Sequence, residues 1–366
     1  MQIAIVGLAR SGKTTLFNAL THGHAPTGAF GGEAELHIGT YKVPDERLDR
    51  LAPVFKAKKV THADIQYVDV PGGLAWRGGR GGGPSPQVQG ALDRSDALIH
   101  VVRAFRKEAV PHPEGSVDPQ RDIETLDLEL AFSDLAVIER RLERLDTAVR
   151  SARAGEREAG EHEMALLRRM KEGLEAGTPI RAQSLTKEEL RSVANYNFLT
   201  AKPLLLLLNI DEADAPKAAA IEEETRSRRS GPSTAVAAAC GTLEMELIDL
   251  SDEEAAEFRA DLGLGEPAAE RISRLSFDLL DLIFFFTGNE DECRAWTAPR
   301  DTPAPRAAGK VHSDMERGFI RAEVIRWDEL ISYGSLAEAR RHGALRGEGK
   351  GYHVQDGDVL HILFNV

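Results

Sequence analysis

A short stretch near the N-terminus constrains the fold more than any other part of the chain. Residues Gly7–Thr15 have the sequence Gly-Leu-Ala-Arg-Ser-Gly-Lys-Thr-Thr, which fits the phosphate-loop pattern G-x-x-x-x-G-K-[ST]. The apolar run Ile3–Val6 precedes the loop, and Leu16–Leu20 continues it with a pattern typical of a helix. A strand, a glycine-rich loop and a helix N-terminus in this order direct backbone N–H groups at one point. The stretch therefore predicts a site for the phosphates of a nucleotide.

Two side chains of this loop have specific expected roles. Lys13 is expected to reach the β- and γ-phosphates, and the Thr14 hydroxyl is expected to bind Mg²⁺. The other loop residues expected to contact the nucleotide are Gly7, Arg10, Ser11, Gly12 and Thr15. The alternative, a chance turn rich in glycine and serine, does not account for the strand and helix patterns on either side.

A carboxylate at the end of another strand completes the expected metal site. The apolar run Ile65–Val68 leads into Asp69-Val-Pro-Gly72, which has the pattern D-x-x-G. Asp69 is expected to hold Mg²⁺ through water, and the Gly72 N–H is expected to sense the γ-phosphate. Lys13, Asp69 and Gly72 are therefore the candidate catalytic residues. Gly73 stands where Ras-like enzymes place a glutamine that orients the attacking water, so that catalytic group is missing.

Two segments lie where phosphate-loop proteins have their switch loops. The first is His22–Glu35, and the candidates for a threonine that completes the Mg²⁺ shell are Thr27 and Thr40. The alternative is a mobile loop that contributes no ligand. The second is the glycine-rich run Trp76–Gly83, which is either a switch loop ordered by the nucleotide or a passive linker.

The strand predicted at Leu204–Leu208 ends at the position where nucleotide bases are recognised. GTPases carry N-K-x-D there, and its Asp accepts two hydrogen bonds from guanine. Here Asn209 is present, but Ile210 replaces the Lys and Glu212 replaces the Asp. The Glu212 side chain is one methylene longer than Asp, so its carboxylate should not make the same two hydrogen bonds to guanine. Asp211 should not replace it, because it lies one residue before the position of the Asp in N-K-x-D. We therefore expect guanine selectivity to be lost and adenine to become acceptable.

The last strand of the same sheet is predicted at Ala235–Ala239. Cys240 and Gly241 follow it and are expected to form the loop that caps the base. Cys240 is interpreted as a small residue that positions the backbone, with a redox role as the less favoured alternative.

Composition narrows the class of protein. The 366 residues suffice for two or three domains, and the hydrophobic content of 42% is ordinary for a soluble protein. No apolar run approaches the ~20 residues of a membrane span, and no signal peptide precedes the first strand. The two cysteines form no disulfide framework or metal-ligand spacing, so we expect a cytoplasmic protein. The formal charge of −13 argues against a general binder of polyanions.

A helical insertion is predicted between about Asp118 and Thr200. Apolar residues there follow the spacing of a coiled-coil seam, namely Leu135, Ile138, Leu142, Leu145 and Val149. Ser151–Gly160 interrupts the pattern, and a returning helix is predicted around Met164, Leu167 and Leu174. Between Arg140 and Lys171, nine Lys and Arg residues face six acids. This stretch is either a solvated helix face or a basic arm that contacts RNA phosphates.

The C-terminal part, from about Leu282, predicts a small mixed sheet crossed by a helix. The predicted strands are Arg294–Thr297, Phe319–Trp327 and Gly357–Phe364, and a helical segment is predicted at Leu336–His342. No catalytic constellation is evident in this part, so a binding module is the default interpretation.

The chain resembles the Obg-like ATPases, also called YchF proteins, within the translation-factor-related P-loop NTPases. The resemblance extends over residues 1–366. It is carried by Gly7–Thr15, Pro44–Leu48, Asp69–Gly72, His100–Arg103, Asn209–Glu212, Glu257–Leu264 and Arg294–Trp296, and above all by Ala307–Val324 and Val354–Val359.

This resemblance implies a fold, an activity and partners. It implies an α/β P-loop NTPase domain (residues 1–117 and 201–281), an inserted helical hairpin domain (118–200) and a C-terminal TGS domain of the β-grasp fold (282–366). It also implies slow, Mg²⁺-dependent hydrolysis of ATP to ADP, with ATP preferred over GTP, and association with the ribosome. The family's N-x-x-E corresponds to Asn209 and Glu212, and the Ile210 backbone is carried over as an adenine contact.

Several positions depart from the family pattern. Arg10-Ser11 replace Asn-Val in the phosphate loop, and Glu33–Leu36 replaces a Thr-Ile-Glu-Pro stretch. The second switch is altered after Gly73, and Cys240-Gly241 replaces Ser-Ala. These departures concern switching and hydrolysis more than binding. The leading hypothesis is an ATPase switch, and the alternatives are a non-hydrolysing nucleotide-dependent binding module and a GTP-specific GTPase.

Overall fold

The structure, a computed structural model, describes residues 1–26, 36–72, 84–229 and 231–365. Their contacts divide the chain into two compact units. The first unit comprises Met1–Tyr41 and Gln66–Ile272, and the second comprises Lys42–Ile65 and Ser273–Val366. Residues 42–65, which the sequence analysis assigned to the nucleotide-binding domain, thus group with the C-terminal part of the chain.

The described residues form strands and helices that are distributed along the chain. The strands are β1 (Gln2–Val6), β2 (His37–Lys42), β3 (Lys59–Thr61), β4 (Asp64–Asp69), β5 (Ala97–Ala104), β6 (Leu204–Ile210), β7 (Thr234–Ala239), β8 (Leu282–Gly288), β9 (Glu292–Pro299), β10 (Phe319–Arg326), β11 (Arg346–Glu348) and β12 (Asp358–Phe364). The α-helices are α1 (Lys13–Thr21), α2 (Glu46–Phe55), α3 (Pro86–Arg94), α4 (Pro119–Ser151), α5 (Ala154–Glu175), α6 (Lys187–Ser192), α7 (Ala218–Arg229), α8 (Gly241–Ile248), α9 (Asp252–Asp261), α10 (Ala268–Leu279), α11 (Ala304–Val311), α12 (Ser313–Arg317), α13 (Trp327–Tyr333) and α14 (Leu336–Arg341). Short 3₁₀ helices occupy Ile180–Ala182, Ala194–Tyr196, Leu199–Ala201 and Glu212–Lys217.

A six-stranded sheet in the order β2-β4-β1-β5-β6-β7 forms the centre of the first unit. The neighbouring pairs β4–β1, β1–β5, β5–β6 and β6–β7 are parallel. All seven residues of β6 are buried and six of them are apolar, as expected for a parallel strand covered on both faces. The predicted α/β fold of a P-loop NTPase is confirmed. Its consequence is that the loops after β1, β4, β5, β6 and β7 meet at one edge of the sheet.

The helical insertion is an antiparallel pair formed by α4 and α5. Ile138 and Leu145 of the predicted seam are buried, and the other three predicted seam residues pack against the same cluster. The predicted interruption at Ser151–Gly160 was too long, because Ala152 and Arg153 alone separate the two helices. A Cβ at Gly160 would lie 2.6 Å from Val149 Cγ2, so the glycine permits the helices to approach closely beside the turn.

A buried carboxylate connects the insertion to the central sheet. Asp134 of α4 accepts hydrogen bonds from the backbone N–H groups of Leu199 and Thr200, each at 2.8 Å, and from the Thr200 hydroxyl at 2.6 Å. Burial raises the pKa of Asp134 to about 6. These three bonds orient α4 relative to the segment that leads into β6.

The second unit contains a mixed sheet in the order β11-β10-β12-β8-β9-β3. The pairs β12–β8 and β3–β9 are parallel, and β8–β9, β10–β11 and β10–β12 are antiparallel. Leu48, Leu51 and Phe55 of α2 belong to the same apolar core as Phe286 and Leu330. The predicted small mixed sheet crossed by helices is confirmed, with α2 and β3 as additional parts. No helix in the described ranges is long and apolar enough to cross a membrane.

Candidate nucleotide-binding site

The loop between β1 and α1 has a backbone that only glycine can form at two positions. Gly7 has φ of 151° and Gly12 has φ of 89°. A Cβ at Gly7 would lie 2.4 Å from the Val101 carbonyl oxygen, and a Cβ at Gly12 would lie 2.1 Å from Asn209 Nδ2. Side chains at either position would therefore clash with the strands beneath. The loop forms a close-fitting cradle at the carboxyl edge of the sheet.

Lys13 lies inside this cradle. Its Nζ donates hydrogen bonds to the Gly7 and Leu8 carbonyl oxygens, each at 3.0 Å. The residue is 6% exposed, and burial lowers the pKa of Lys13 to about 8 against the opposing effect of Asp69 and Glu129. The ammonium is held mainly by neutral carbonyls, so an anion entering the cradle would gain strongly from pairing with it.

Thr14 and Asp69 form a pair suited to a hard cation. The Thr14 hydroxyl donates to Asp69 Oδ2 at 2.6 Å, and the pKa of Asp69 is raised because the carboxyl is buried. The other oxygen of Asp69, Oδ1, is also buried and has no hydrogen-bond partner among the described residues. A hydroxyl beside a carboxylate with a free oxygen is a ligand set that Mg²⁺ uses together with phosphate oxygens. The residues present therefore fit the metal that the sequence predicted.

Asn209, near the end of β6, connects the phosphate loop to the start of α8. Its Nδ2 donates to the Ser11 carbonyl oxygen at 3.0 Å, and its Oδ1 accepts from the Gly241 N–H at 3.1 Å. The side chain is buried at the end of β6. The amide thus fixes the phosphate loop and the N-terminus of α8 to the strand between them. The Ser11 hydroxyl is buried without a partner among the described residues, as a group that faces a ligand would be.

Asp211 has a structural role in the loop after β6. Its Oδ1 accepts from the Glu212 N–H at 3.0 Å, and its Oδ2 accepts from the Arg106 N–H at 3.2 Å. Asp211 therefore caps the 3₁₀ helix that begins at Glu212. Ile210 is buried and Glu212 is exposed.

Cys240 is a buried residue at the start of α8. Its sulfur lies 3.2 Å from Thr242 Oγ1, and it occupies the N-cap position of the helix. Gly241 has little free space, because a Cβ there would lie 3.2 Å from both Asn209 Oδ1 and Leu16 Cγ. Gly241 thus places backbone beside Asn209, and the role of Cys240 as a small positioning residue stays a prediction.

Arg103 has a role at this site that the sequence analysis did not assign. Its guanidinium donates to the carbonyl oxygens of Phe105 (3.3 Å), Val110 (2.6 Å) and Arg10 (3.5 Å), and it stacks 4.5 Å from the Phe105 ring centroid. It therefore ties the segment after β5 to the phosphate loop. An arginine near the end of a strand that is apolar except for His100 was the available signal. Arg10 itself donates to the Pro111 carbonyl oxygen at 3.1 Å.

The structure brings most predicted site residues to one edge of the sheet. Those in the loops just described are Gly7, Arg10, Ser11, Gly12, Lys13, Thr14, Asp69, Asn209, Ile210, Glu212, Cys240 and Gly241. Thr15 is half-buried in α1, Gly72 is exposed with φ of 67°, and Thr40 is exposed on β2. Thr27, Gly73 and the run Trp76–Gly83 lie outside the described residues, as does most of Glu33–Leu36.

Comparison with known proteins gives similarity over nearly the whole chain. A family model for the C-terminal domain of YchF GTPases, described as a protein of unknown function, matches residues 282–365. A model described as a 50S ribosome-binding GTPase matches residues 2–138. Two curated relatives carry the name ribosome-binding ATPase YchF. The one from Pasteurella multocida is 38% identical over 363 residues, and the one from Bacillus subtilis is 36% identical over 365 residues. Both matches cover 99% of this chain and 98% of the relative.

A solved structure is similar over the same extent. The Schizosaccharomyces pombe YchF GTPase is 29% identical, with a TM-score of 0.81. The match covers 99% of this chain and 97% of the yeast chain. The similarity thus includes both compact units and the helical insertion.

Proposed function

The chain belongs to the YchF family, and from this premise we propose that it is a P-loop nucleoside triphosphatase that hydrolyses ATP as a conformational switch at the ribosome. The relatives' name, ribosome-binding ATPase, supports the partner and the nucleotide. The observation that carries the proposal is the cradle itself, in which Lys13 and the Thr14–Asp69 pair lie beside the N-terminus of α1.

The residues of the chain would act mainly by positioning and by charge. Lys13 would exchange its two carbonyl partners for oxygens of the β- and γ-phosphates, while the loop N–H groups bind the same phosphates. Thr14 and Asp69 would hold Mg²⁺, which when bound neutralises charge on the phosphates. The Gly72 N–H would contact the γ-phosphate. Because Gly73 replaces the water-orienting glutamine, we expect slow intrinsic hydrolysis that rests on charge stabilisation.

A preference for ATP over GTP is the finer part of the proposal. Names in the family differ on this point, since the bacterial relatives are called ATPases and the yeast protein a GTPase. Glu212 is exposed and follows Asp211, whose carboxylate already accepts two backbone N–H groups. Neither carboxylate supplies the arrangement that reads guanine, and the buried Ile210 leaves only its backbone for contact with adenine.

Calorimetry with ATP, GTP and their diphosphates tests this proposal. We expect ATP to bind at least about tenfold more tightly than GTP, a difference of about 1.4 kcal/mol. Single-turnover hydrolysis with and without ribosomes separates a switch from a non-hydrolysing binding module. A strong preference for GTP would contradict the interpretation of Glu212, and binding without any turnover would favour the module.

The affinity for ATP is expected to fall at alkaline pH. Burial lowers the pKa of Lys13 to about 8, and only the charged ammonium pairs with phosphate. The charged form prevails below this pH and decreases tenfold with each pH unit above it. The dissociation constant for ATP should therefore be about tenfold higher at pH 9 than at pH 7.

The matched variant for this measurement is Lys13→Arg. Its guanidinium stays charged throughout the range, so the dissociation constant of the variant should not change between the two pH values. Equal wild-type constants at pH 7 and pH 9 would show that Lys13 is not the titrating group.

The helical insertion is the proposed surface for RNA phosphates. Ion pairs join Arg141, Arg150, Arg169 and Lys171 to carboxylates. The other five basic residues of the stretch are exposed, namely Arg140, Arg144, Arg153, Arg157 and Arg168. Cosedimentation with ribosomes at rising salt tests this surface. If alanine at these five positions leaves the salt dependence unchanged, the insertion is only a solvated helix face.

A further inference from the structure

A second cavity lies in the first unit, at the opposite edge of the central sheet from the phosphate loop. Its volume is about 520 Å³. The starts of β6 and β7 line it, together with the first turns of α4, residues 177–182 and the end of α7. Since Leu204 begins β6 and Asn209 lies near its end, the length of the strand separates this cavity from the nucleotide site.

Part of the cavity lining is apolar. It consists of Leu128, Leu130, Leu174, Leu204 and Leu206. Four of these side chains are buried, whereas Leu128 is 57% exposed and lies at the entrance. Ligand pockets in proteins commonly have volumes of about 300–1,000 Å³ and walls of this kind with a few polar groups. The apolar part thus suits the body of a small organic molecule.

The lining also contains charged residues of both signs, namely Arg181, Arg228, Arg229, Glu124 and Asp127. Arg228 already pairs with Glu224 at 2.8 Å. Arg229 pairs with both carboxylates, at 3.2 Å from Glu124 and 3.3 Å from Asp127. The two acids are therefore already neutralised in part, which disfavours a cationic ligand.

Arg181 is the most buried cation of the lining, and much of its hydrogen-bonding capacity is unused. Its side chain is 6% exposed, and Nη1 donates to the Thr200 carbonyl oxygen at 3.2 Å. Nη2 lies at 4.0 Å from Asp127, which Arg229 also engages, and Nε has no hydrogen-bond partner among the described residues. A buried guanidinium with an unsatisfied N–H is costly unless an acceptor reaches it.

We propose that this cavity is a second binding site, for a small organic monoanion with an apolar body. Arg181 receives the anionic group, and the leucine-lined part receives the apolar body. Arg228 and Arg229 already pair with carboxylates at 2.8–3.3 Å, whereas the contact of Arg181 with Asp127 is longer, at 4.0 Å. Arg181 is therefore the cation of the lining that is left to meet a single negative charge. This proposal does not depend on nucleotide binding at the phosphate loop.

Two fluorescent probes of nearly equal shape test the site. 8-Anilinonaphthalene-1-sulfonate carries one sulfonate, and N-phenyl-1-naphthylamine has the same rings without it. We expect the native full-length protein to bind the sulfonate probe saturably with a stoichiometry of one. Addition of ATP should leave this signal in place, because the two sites lie at opposite edges of the sheet.

Arg181→Met is expected to weaken binding of the sulfonate probe by about tenfold or more, the worth of a charge-assisted hydrogen bond. Binding of the neutral probe should change less than about twofold, since the apolar part is kept. Leu128→Glu changes an exposed residue of the cavity lining. It should also weaken binding of the sulfonate probe about tenfold, because it removes an apolar contact and adds a negative charge that repels the sulfonate. Leu190→Glu replaces another exposed leucine outside the cavity and is the matched control, with no expected change.

Each contrary result overturns the proposal. Absence of saturable sulfonate binding, displacement by ATP, or equal loss of both probes in Arg181→Met would each do so. Circular dichroism verifies that the variants are folded. If Arg181→Met does not fold, Leu128→Glu decides, because a substitution at an exposed position leaves the core intact.

Discussion

Replacing Lys13 by alanine is expected to lower the affinity for ATP by at least about 100-fold, because the phosphates lose their charge-assisted partner. The same variant should show no measurable hydrolysis. In the free protein the ammonium is buried and bonded to two carbonyl oxygens, an arrangement in which its charge is poorly compensated. Removing a desolvated charge should therefore leave the unfolding temperature unchanged or raise it. Calorimetric titration and a thermal melt measure the two effects on the same sample.

The control for this experiment is Lys187→Ala, which removes an exposed lysine of α6 from the same unit. Its affinity for ATP should stay within about twofold of the wild type, since exposed charges at a distance are screened by salt. Loss of affinity in Lys13→Ala together with normal stability would assign the effect to the site. Unchanged ATP affinity in Lys13→Ala would refute the proposed function.

Gly12→Ala is expected to have the second large effect. The new Cβ would lie 2.1 Å from Asn209 Nδ2, in a backbone conformation with φ of 89° that alanine rarely adopts. Either the phosphate loop or Asn209 must move, and Asn209 also holds the Gly241 N–H. We expect ATP affinity to fall by about 100-fold and the free energy of unfolding to fall by about 2 kcal/mol.

Gly155→Ala is the matched glycine-to-alanine control for this second experiment. No atom lies within 4 Å of a Cβ at Gly155, which is in the first turn of α5. Alanine favours the helix, so the variant should be as stable as the wild type or slightly more stable. Normal ATP binding by Gly12→Ala would show that the cradle tolerates displacement, contrary to its close contact with Asn209.

Local patterns in the sequence predicted four of the six strands of the central sheet and the helical hairpin. Continuous apolar runs at Ile3–Val6 and Leu204–Leu208 predicted buried parallel strands, and both proved to be so. The seam that begins at Leu135 predicted the pairing of α4 and α5. Periodicity works here because the residues that must share one buried face are close in sequence. Where small polar residues weakened the period, as after Ser151, the predicted helix boundary was wrong.

Contacts between distant parts of the chain could not be predicted in this way. The pattern of α2 shows an amphipathic helix but not its partners, and it packs with Phe286 and Leu330, which are more than 200 residues away. Arg103 gave a local signal as a charge in a mostly apolar strand. Two of its acceptors follow it closely in the chain, but the third, the Arg10 carbonyl oxygen, belongs to the phosphate loop, whose approach depends on β1 and β5 being neighbours in the sheet.

The nucleotide site could be predicted from a local sequence motif, whereas the second cavity could not. Lys13, Thr14 and the glycines of the loop are consecutive, so their order along the chain already places phosphate-binding groups together. Asp69 and Asn209 joined them because parallel strands bring their carboxyl ends to one edge. Arg181 and the leucines around the cavity carry no such motif. They come from four separate segments, and their proposed role rests on burial and on an unpartnered guanidinium N–H, which arise only when those segments pack together.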